Sequence, residues 1–115
     1  MARVARGDLW WANLAEPFGS EPGFRRPVVV IQAEVFNQGG LQTAIVAIVT
    51  SNLGWVDFPG NVFLPTDQSG LSRPSVVQIT QLMTIDLRRL SERVEVLSGE
   101  VMDSIDAGLR LALEL

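Results

Sequence analysis

Pro27-Val28-Val29-Val30-Ile31-Gln32 and, beyond a turn at Asn37-Gln38-Gly39-Gly40, Thr43-Ala44-Ile45-Val46-Ala47-Ile48-Val49 are the two stretches that decide the fold. Both are nearly continuous apolar runs, too short to cross a bilayer and too rich in Val and Ile to favour a helix. Each therefore reads as a strand buried on both faces, and the pair as the centre of a sheet. Pro27 opens the first run, where a missing N–H is tolerated.

Outward from this centre, Asp8 to Leu14 is an aromatic-rich strand that ends before Ala15 to Gly23, a loop with two Pro and two Gly in nine residues. On the other side, Trp55 to Leu64 is interrupted by Pro59-Gly60 and followed by Pro65, which predicts a bent or edge-type strand or a hairpin flank. Ser75 to Leu82 alternates polar with apolar residues from Val77, leaving one face for solvent or a partner. Asp86 to Leu90 makes a short helical turn and Val94 to Leu97 a last short strand. Ser98 then caps a terminal helix, with Glu100 in its first turn and Val101, Ile105, Leu109 and Ala112 on one face, widened by Met102 and Leu113. Five or so strands and one principal helix make a small α+β or barrel-like domain, and 115 residues suffice for one core, so residues 1–115 are expected to form a single domain.

The inventory excludes most familiar catalysts. The chain has no Cys, His or Tyr, and all nine of its cationic residues are Arg. Ser-His-Asp triads, cysteine nucleophiles, imidazole or thiolate zinc sites, Schiff bases and P-loops are all unavailable. Catalytic chemistry must come from Arg, carboxylates, hydroxyls, amides and the backbone, with no cofactor and no metal expected. Any activity should also lack an imidazole titration near pH 6.5. The net charge of -4 argues at first against a nucleic-acid partner, but position changes the reading. Residues 1–90 carry seven Arg and seven acids, whereas residues 91–115 carry two Arg and six acids. The acidity belongs to the carboxy-terminal region. The amino-terminal residues are too charged for a signal peptide and no apolar run spans a bilayer, which predicts a cytoplasmic protein without membrane contact.

Three segments together resemble the MazF/PemK family of toxin endoribonucleases from bacterial toxin-antitoxin pairs. The first is Arg6-Gly7-Asp8-Leu9-Trp10, with the loop Gly19-Ser20-Glu21, then Gly23 and the pair Arg26-Pro27; the second is Ile48-Val49-Thr50-Ser51; the third is Ser75-Val76-Val77 through Gln81, with Thr84-Ile85-Asp86 and Arg89-Leu90. The resemblance implies an SH3-like barrel (CcdB/MazF-type) of about five to seven strands with a C-terminal helix. It also implies a homodimer that cuts single-stranded RNA at short sequences without a metal, the ribose 2′-OH attacking phosphorus to leave a 2′,3′-cyclic phosphate and a 5′-OH. A cognate MazE-like antitoxin would lay its C-terminal segment across the RNA groove, in competition with RNA. The residue inventory permits such chemistry, because the nucleophile belongs to the substrate and the protein need only position a phosphate and manage charge.

On that resemblance Arg26 is the active-site arginine, its planar fork suited to two phosphate oxygens as charge builds in the transition state. Thr50 is the active-site threonine, whose hydroxyl would bond a non-bridging oxygen, or which merely bonds its own backbone at a strand end. Glu21 serves as general base on the 2′-OH or anchors the loop to an arginine. Arg25, Ser20, Gly23, Ser51, Gln81 and Phe18 are the expected RNA contacts. Phe24 and Trp55, in or beside loops, are further candidates for stacking, and adjacent Trp10 and Trp11 must face opposite sides of their strand. One departure stands out: where some members carry a basic and then an acidic residue, this chain has Gln78 and Thr80. A charged acid-base pair in that strand is absent. Two rival readings are a CcdB-like gyrase poison, disfavoured by an ending of Leu111-Ala112-Leu113-Glu114-Leu115 without tryptophan, and a non-catalytic binding barrel. The Arg6-Gly7-Asp8 tripeptide reads as chance rather than as an adhesion motif.

Overall fold

A computed structural model describes residues 3–16, 18–20 and 23–115. Six strands, β1 (Asp8–Asn13), β2 (Arg25–Val30), β3 (Thr43–Thr50), β4 (Val62–Leu64), β5 (Ser75–Asp86) and β6 (Leu90–Val96), form one antiparallel sheet in the order β4-β5-β3-β2-β1-β6. The sheet curls into a half-barrel, and the helix α3 (Gly99–Leu113) packs on β4 and β5. Two short helices, α1 (Glu34–Gln38) and α2 (Thr66–Ser69), lie in connections.

The two apolar runs are indeed the central strands, and their composition explains why. Val28, Val30, Val46 and Ile48 join Ala12, Ile85, Leu87 and Leu90 in one core, while Val29, Ala47 and Val49 point the other way into a second core completed by Val77, Ile79, Leu97, Val101, Met102 and Ile105. Both faces of β2 and β3 are thus covered, which is what a run without polar alternation requires. Trp10 and Trp11 separate as expected, Trp10 packing on the first core and Trp11 on the second.

Strand β5 carries the main irregularity of the sheet. Ala47 pairs with Leu82 but its neighbour Ile48 pairs with Gln78, so residues 79–81 have no counterparts on β3. An odd number of extra residues reverses the alternation: Val77 and Ile79 reach the α3 side, yet beyond the bulge it is Leu82 that does so, while Met83 and Ile85 turn to the opposite core. The freed Ile79 amide is not left unpaired, since it donates to Asn61 Oδ1 at 3.0 Å.

Four expectations need correction. Pro27 is the third residue of its strand rather than the first; it is tolerated because the ladder to β3 reaches only Val28, so Pro27 lies at an edge on that side. The segment from Trp55 to Leu64 is not one bent strand: a 3-10 turn at Leu53–Trp55 and a further turn precede a three-residue edge strand. The last strand is longer than Val94 to Leu97: it begins at Leu90 and ends at Val96, leaving Leu97 just beyond it. Ala112 and Leu113 are exposed, because the last turn of α3 extends beyond the sheet.

Ser98 caps α3 as its sequence suggests, its Oγ accepting from the Val101 amide at 3.2 Å. Farther along, a side chain at Gly108 would place its Cβ 2.3 Å from the Gly60 carbonyl oxygen. Helix and loop therefore meet backbone to backbone, an approach only glycine permits. The Arg-Gly-Asp tripeptide is consumed by the fold. Asp8, 1% exposed, accepts from the Ala5 amide and from Trp10 Nε1, while Arg6 bonds the Ile31 carbonyl and Asp106 on α3.

Candidate active site

The sheet opens at the end where β2 begins and β3 finishes. The β2–β3 ladder ends at Val28–Ile48, and just beyond it Arg26 on β2 and Thr50 on β3 both reach the mouth of the sheet. Here half-buried Arg26, buried Thr50 and exposed Ser51 and Arg25 line a cleft of about 660 Å³ together with Gly23, Phe24 and Trp11. Leu71, Ser72 and Arg73, from the loop between α2 and β5, and Ser75, which opens β5, complete its lining.

Thr50 is 8% exposed, and its Oγ1 accepts from the Asn52 amide at 3.1 Å. That bond is the local backbone interaction a strand-ending threonine favours, and it also fixes the side chain. A hydroxyl has two acceptor lone pairs and one donor, so the Thr50 O–H is left to donate to a molecule in the cleft. Arg26 has no carboxylate or carbonyl partner among the described residues. Arg25 lies over the Trp11 ring, 4.2 Å from its centroid, with Glu92 a loose 3.9 Å away. The stack orients the guanidinium while leaving its donors largely to solvent.

Sequence reasoning passed over Arg73. It stands in the loop Leu71-Ser72-Arg73-Pro74, between a turn and a strand, and the fold brings it to the same cleft as Arg26. Its backbone is held: Ser75 Oγ donates to the Arg73 carbonyl at 3.0 Å, and the Leu71 amide donates to buried Ser69 Oγ at 3.0 Å. An arginine preceding a proline in a turn-rich segment was the available signal, though a weak one.

The remaining candidates divide. Ser20 and Phe18 are exposed on the loop after β1, Phe18 at 83%, and neither lines the cleft. Gln81 sits half-buried in the β5 bulge and is likewise absent from the lining. Trp55 packs edge-on against Phe58 elsewhere on the surface. Glu21 lies outside the described residues.

Electrostatically the cleft is one-sided. Three arginines line it and, among the described lining residues, no carboxylate does. Of the described acids, Glu100, Asp103 and Asp106 are on α3, while Glu92 on β6 comes within 3.9 Å of Arg25. Perturbed carboxylates also lie away from the cleft. The side chain and amide of Arg88 hold the Asp86 carboxyl down to about 2, and the Arg6 amide, with Asn37, lowers Glu34. Among the described residues no group of three carboxylates is close enough to hold a metal ion, and no helix is long and apolar enough to cross a membrane.

A small curled antiparallel sheet with a terminal helix, opening at one end into a cleft of arginines and hydroxyl donors, defines a barrel suited to binding a polyanion. Comparison with known proteins makes this specific. Residues 5–113 match the family described as PemK-like, MazF-like toxin of type II toxin-antitoxin system, and the chain belongs to that family. It is 42% identical over 112 residues to Endoribonuclease MazF6 of Mycobacterium tuberculosis, covering 97% of this chain and 98% of that protein. The crystal structure of MazF from Deinococcus radiodurans (Form-I) superposes with a TM-score of 0.82 at 25% identity, covering all of both chains. The MazE-MazF structure (Form-II) from the same organism gives 0.79 at 26% identity, covering 100% of this chain and 99% of that one.

Proposed function

We propose that this chain is a single-domain endoribonuclease toxin that cuts single-stranded RNA without a metal, and that Arg26 and Thr50 at the mouth of the sheet form its centre. The observation that carries the reading is the cleft itself: three guanidinium groups, one fixed hydroxyl donor and no described carboxylate, in a member of a family whose relative is named an endoribonuclease.

The scissile phosphate is held by Arg26, whose two parallel N–H groups match two non-bridging oxygens. Thr50 donates its O–H to one of those oxygens. The substrate's 2′-oxygen forms a bond to phosphorus as the bond to the 5′-oxygen breaks, giving a 2′,3′-cyclic phosphate and a 5′-OH. We assign the 2′-OH proton to Glu21, in the loop leading to Gly23, and the leaving 5′-oxygen takes a proton from water. Gln78 and Thr80 do not ionise near neutral pH, so β5 supplies no acid-base pair. Arg26 acts electrostatically, because a guanidinium is a poor proton donor and serves best as a fixed positive charge. Arg25 and Arg73 hold the flanking backbone, and Ser51, Ser20 and Gln81 are peripheral RNA contacts.

The chain works in the cytoplasm as a homodimer and is silenced by an antitoxin whose C-terminal segment occupies the cleft, so that antitoxin and RNA compete. The MazE-MazF complex formed by the relative supports the partner, and exposed Phe63 and Leu111 beside the Gly60–Gly108 seam offer apolar surface for a second copy.

The decisive assay is purified protein with single-stranded RNA in excess EDTA, with product ends mapped. Wild type is expected to leave cyclic phosphate ends and Arg26→Ala to lose about 10²- to 10³-fold in rate. An inactive wild type, or an undiminished Arg26→Ala, overturns the mechanism.

A further inference from the structure

Phe24 is held in a backbone conformation that its side chain disfavours. Among the described residues only Phe24 and Glu114 combine a side chain with a positive φ, and Glu114 merely terminates α3 in the left-handed form common at helix ends. Phe24, with φ of 59°, has no such excuse, because glycine is the residue that adopts this region without steric cost. Nor is the conformation free to relax. Beyond the last ladder pair, Asn13–Arg25, the Phe24 amide donates to the Ala15 carbonyl at 3.2 Å and the Phe24 carbonyl accepts from the Leu14 amide at 2.6 Å.

A strained aromatic is usually justified by burial of its ring. Here the residue is 66% exposed and lines the cleft beside Arg25 and Arg26. Packing within the chain therefore does not account for it, and strain of this kind collects where a ligand is bound. The surroundings indicate the ligand's chemistry. A flat apolar ring next to two guanidinium groups, one of them already stacked on Trp11, suits a molecule that joins planar rings to phosphates.

We propose that Phe24 is a substrate-binding residue whose ring stacks on the nucleobase next to the phosphate held by Arg26, and that its left-handed backbone aims the ring into the cleft. The proposal rests on the ribonuclease reading and adds to it a determinant of which nucleotide sits beside the cut.

The test exploits the backbone. Phe24→Gly removes the ring while supplying the residue this φ prefers, so loss of binding separates from loss of fold. The variant is expected to melt at or above the wild-type temperature, to raise KM for single-stranded RNA about tenfold and to leave kcat within about twofold. Phe24→Trp should keep the wild-type KM and Phe24→Leu should not. As a direct readout, a non-cleavable RNA with a 2′-O-methyl group at the mapped scissile ribose and 2-aminopurine on either side of it should be quenched on binding wild type. Phe24→Gly should lose that quenching on one side only.

Unchanged KM and quenching in Phe24→Gly, with wild type active, overturn the stacking role while leaving the ribonuclease reading intact. An inactive wild type overturns both. A Phe24→Gly variant that binds RNA normally but an antitoxin tail poorly assigns the ring to a peptide instead and overturns the proposal. A lower melting temperature contradicts its premise of strain.

Discussion

The two ends of the sheet treat arginine in opposite ways. At the end where β3 begins, Arg88 is chelated by Asp86 through Nε at 3.0 Å and Nη2 at 2.9 Å, and Arg6 bonds Asp106 at 2.5 Å and the Ile31 carbonyl at 2.9 Å. At the end where β3 finishes, Arg26 and Arg73 have no acidic partner among the described residues, and Arg25 rests on an aromatic face with only a loose contact to Glu92. Arginines whose donors are met within the chain tie elements together. Those with no acidic partner among the described residues line a cleft beside a fixed hydroxyl.

Mutations should separate these roles cleanly. The largest effect is expected at the open end: Thr50→Val should lower kcat/KM about 10²-fold while Thr50→Ser retains most of it, because serine keeps both the bond from the Asn52 amide and the free O–H. Equal loss in the two variants would mean that the hydroxyl alone does not account for the role of Thr50. At the closed end, Arg6→Ala should cost about 1–2 kcal/mol in urea unfolding, through two lost charge-assisted bonds, with kcat/KM unchanged below the transition. A catalytic defect there without loss of stability would blur the distinction between the ends.

The smallest effect belongs to Arg88→Ala. By NMR, the Asp86 carboxyl should titrate at about 2 in wild type and return toward its ordinary value of 3.8 in the variant. Because the folded value is depressed, the contribution to stability is present above about pH 4 and fades as pH falls through about 2. Asp86 and Arg88 are solvent-exposed enough that stability at neutral pH should scarcely move. An Asp86 titration unchanged by Arg88→Ala would remove the pairing on which the contrast between the ends partly rests.

How much of this was legible in the sequence depended on whether the signal was local. The central strands were plain because Val28 to Val30 and Ala44 to Val49 are apolar on both faces, and Ser98 announced its helix. Arg26 and Thr50 were picked out by short motifs, and both line the cleft. Arg73 was missed because its place at the cleft depends on how the sheet folds, not on its neighbours in the chain. Gln81 was expected at the cleft, but alternation along β5 stops being a guide where residues 79–81 leave the ladder. The two consecutive polar residues Thr80 and Gln81 are the trace of that break. Helix α1 escaped notice because none of its residues is buried, so it has no apolar periodicity to read.

That bulge also limits how the chain can change length. With three residues out of register, the two halves of β5 present opposite parities to the same core, so removing one residue from 79–81 would turn one half of the strand inside out, exchanging Met83 and Ile85 with their polar neighbours. Removing two would preserve the parity. Insertions and deletions in this part of the sheet are therefore accommodated in pairs, a counting rule imposed by the pleat on any descendant of this gene.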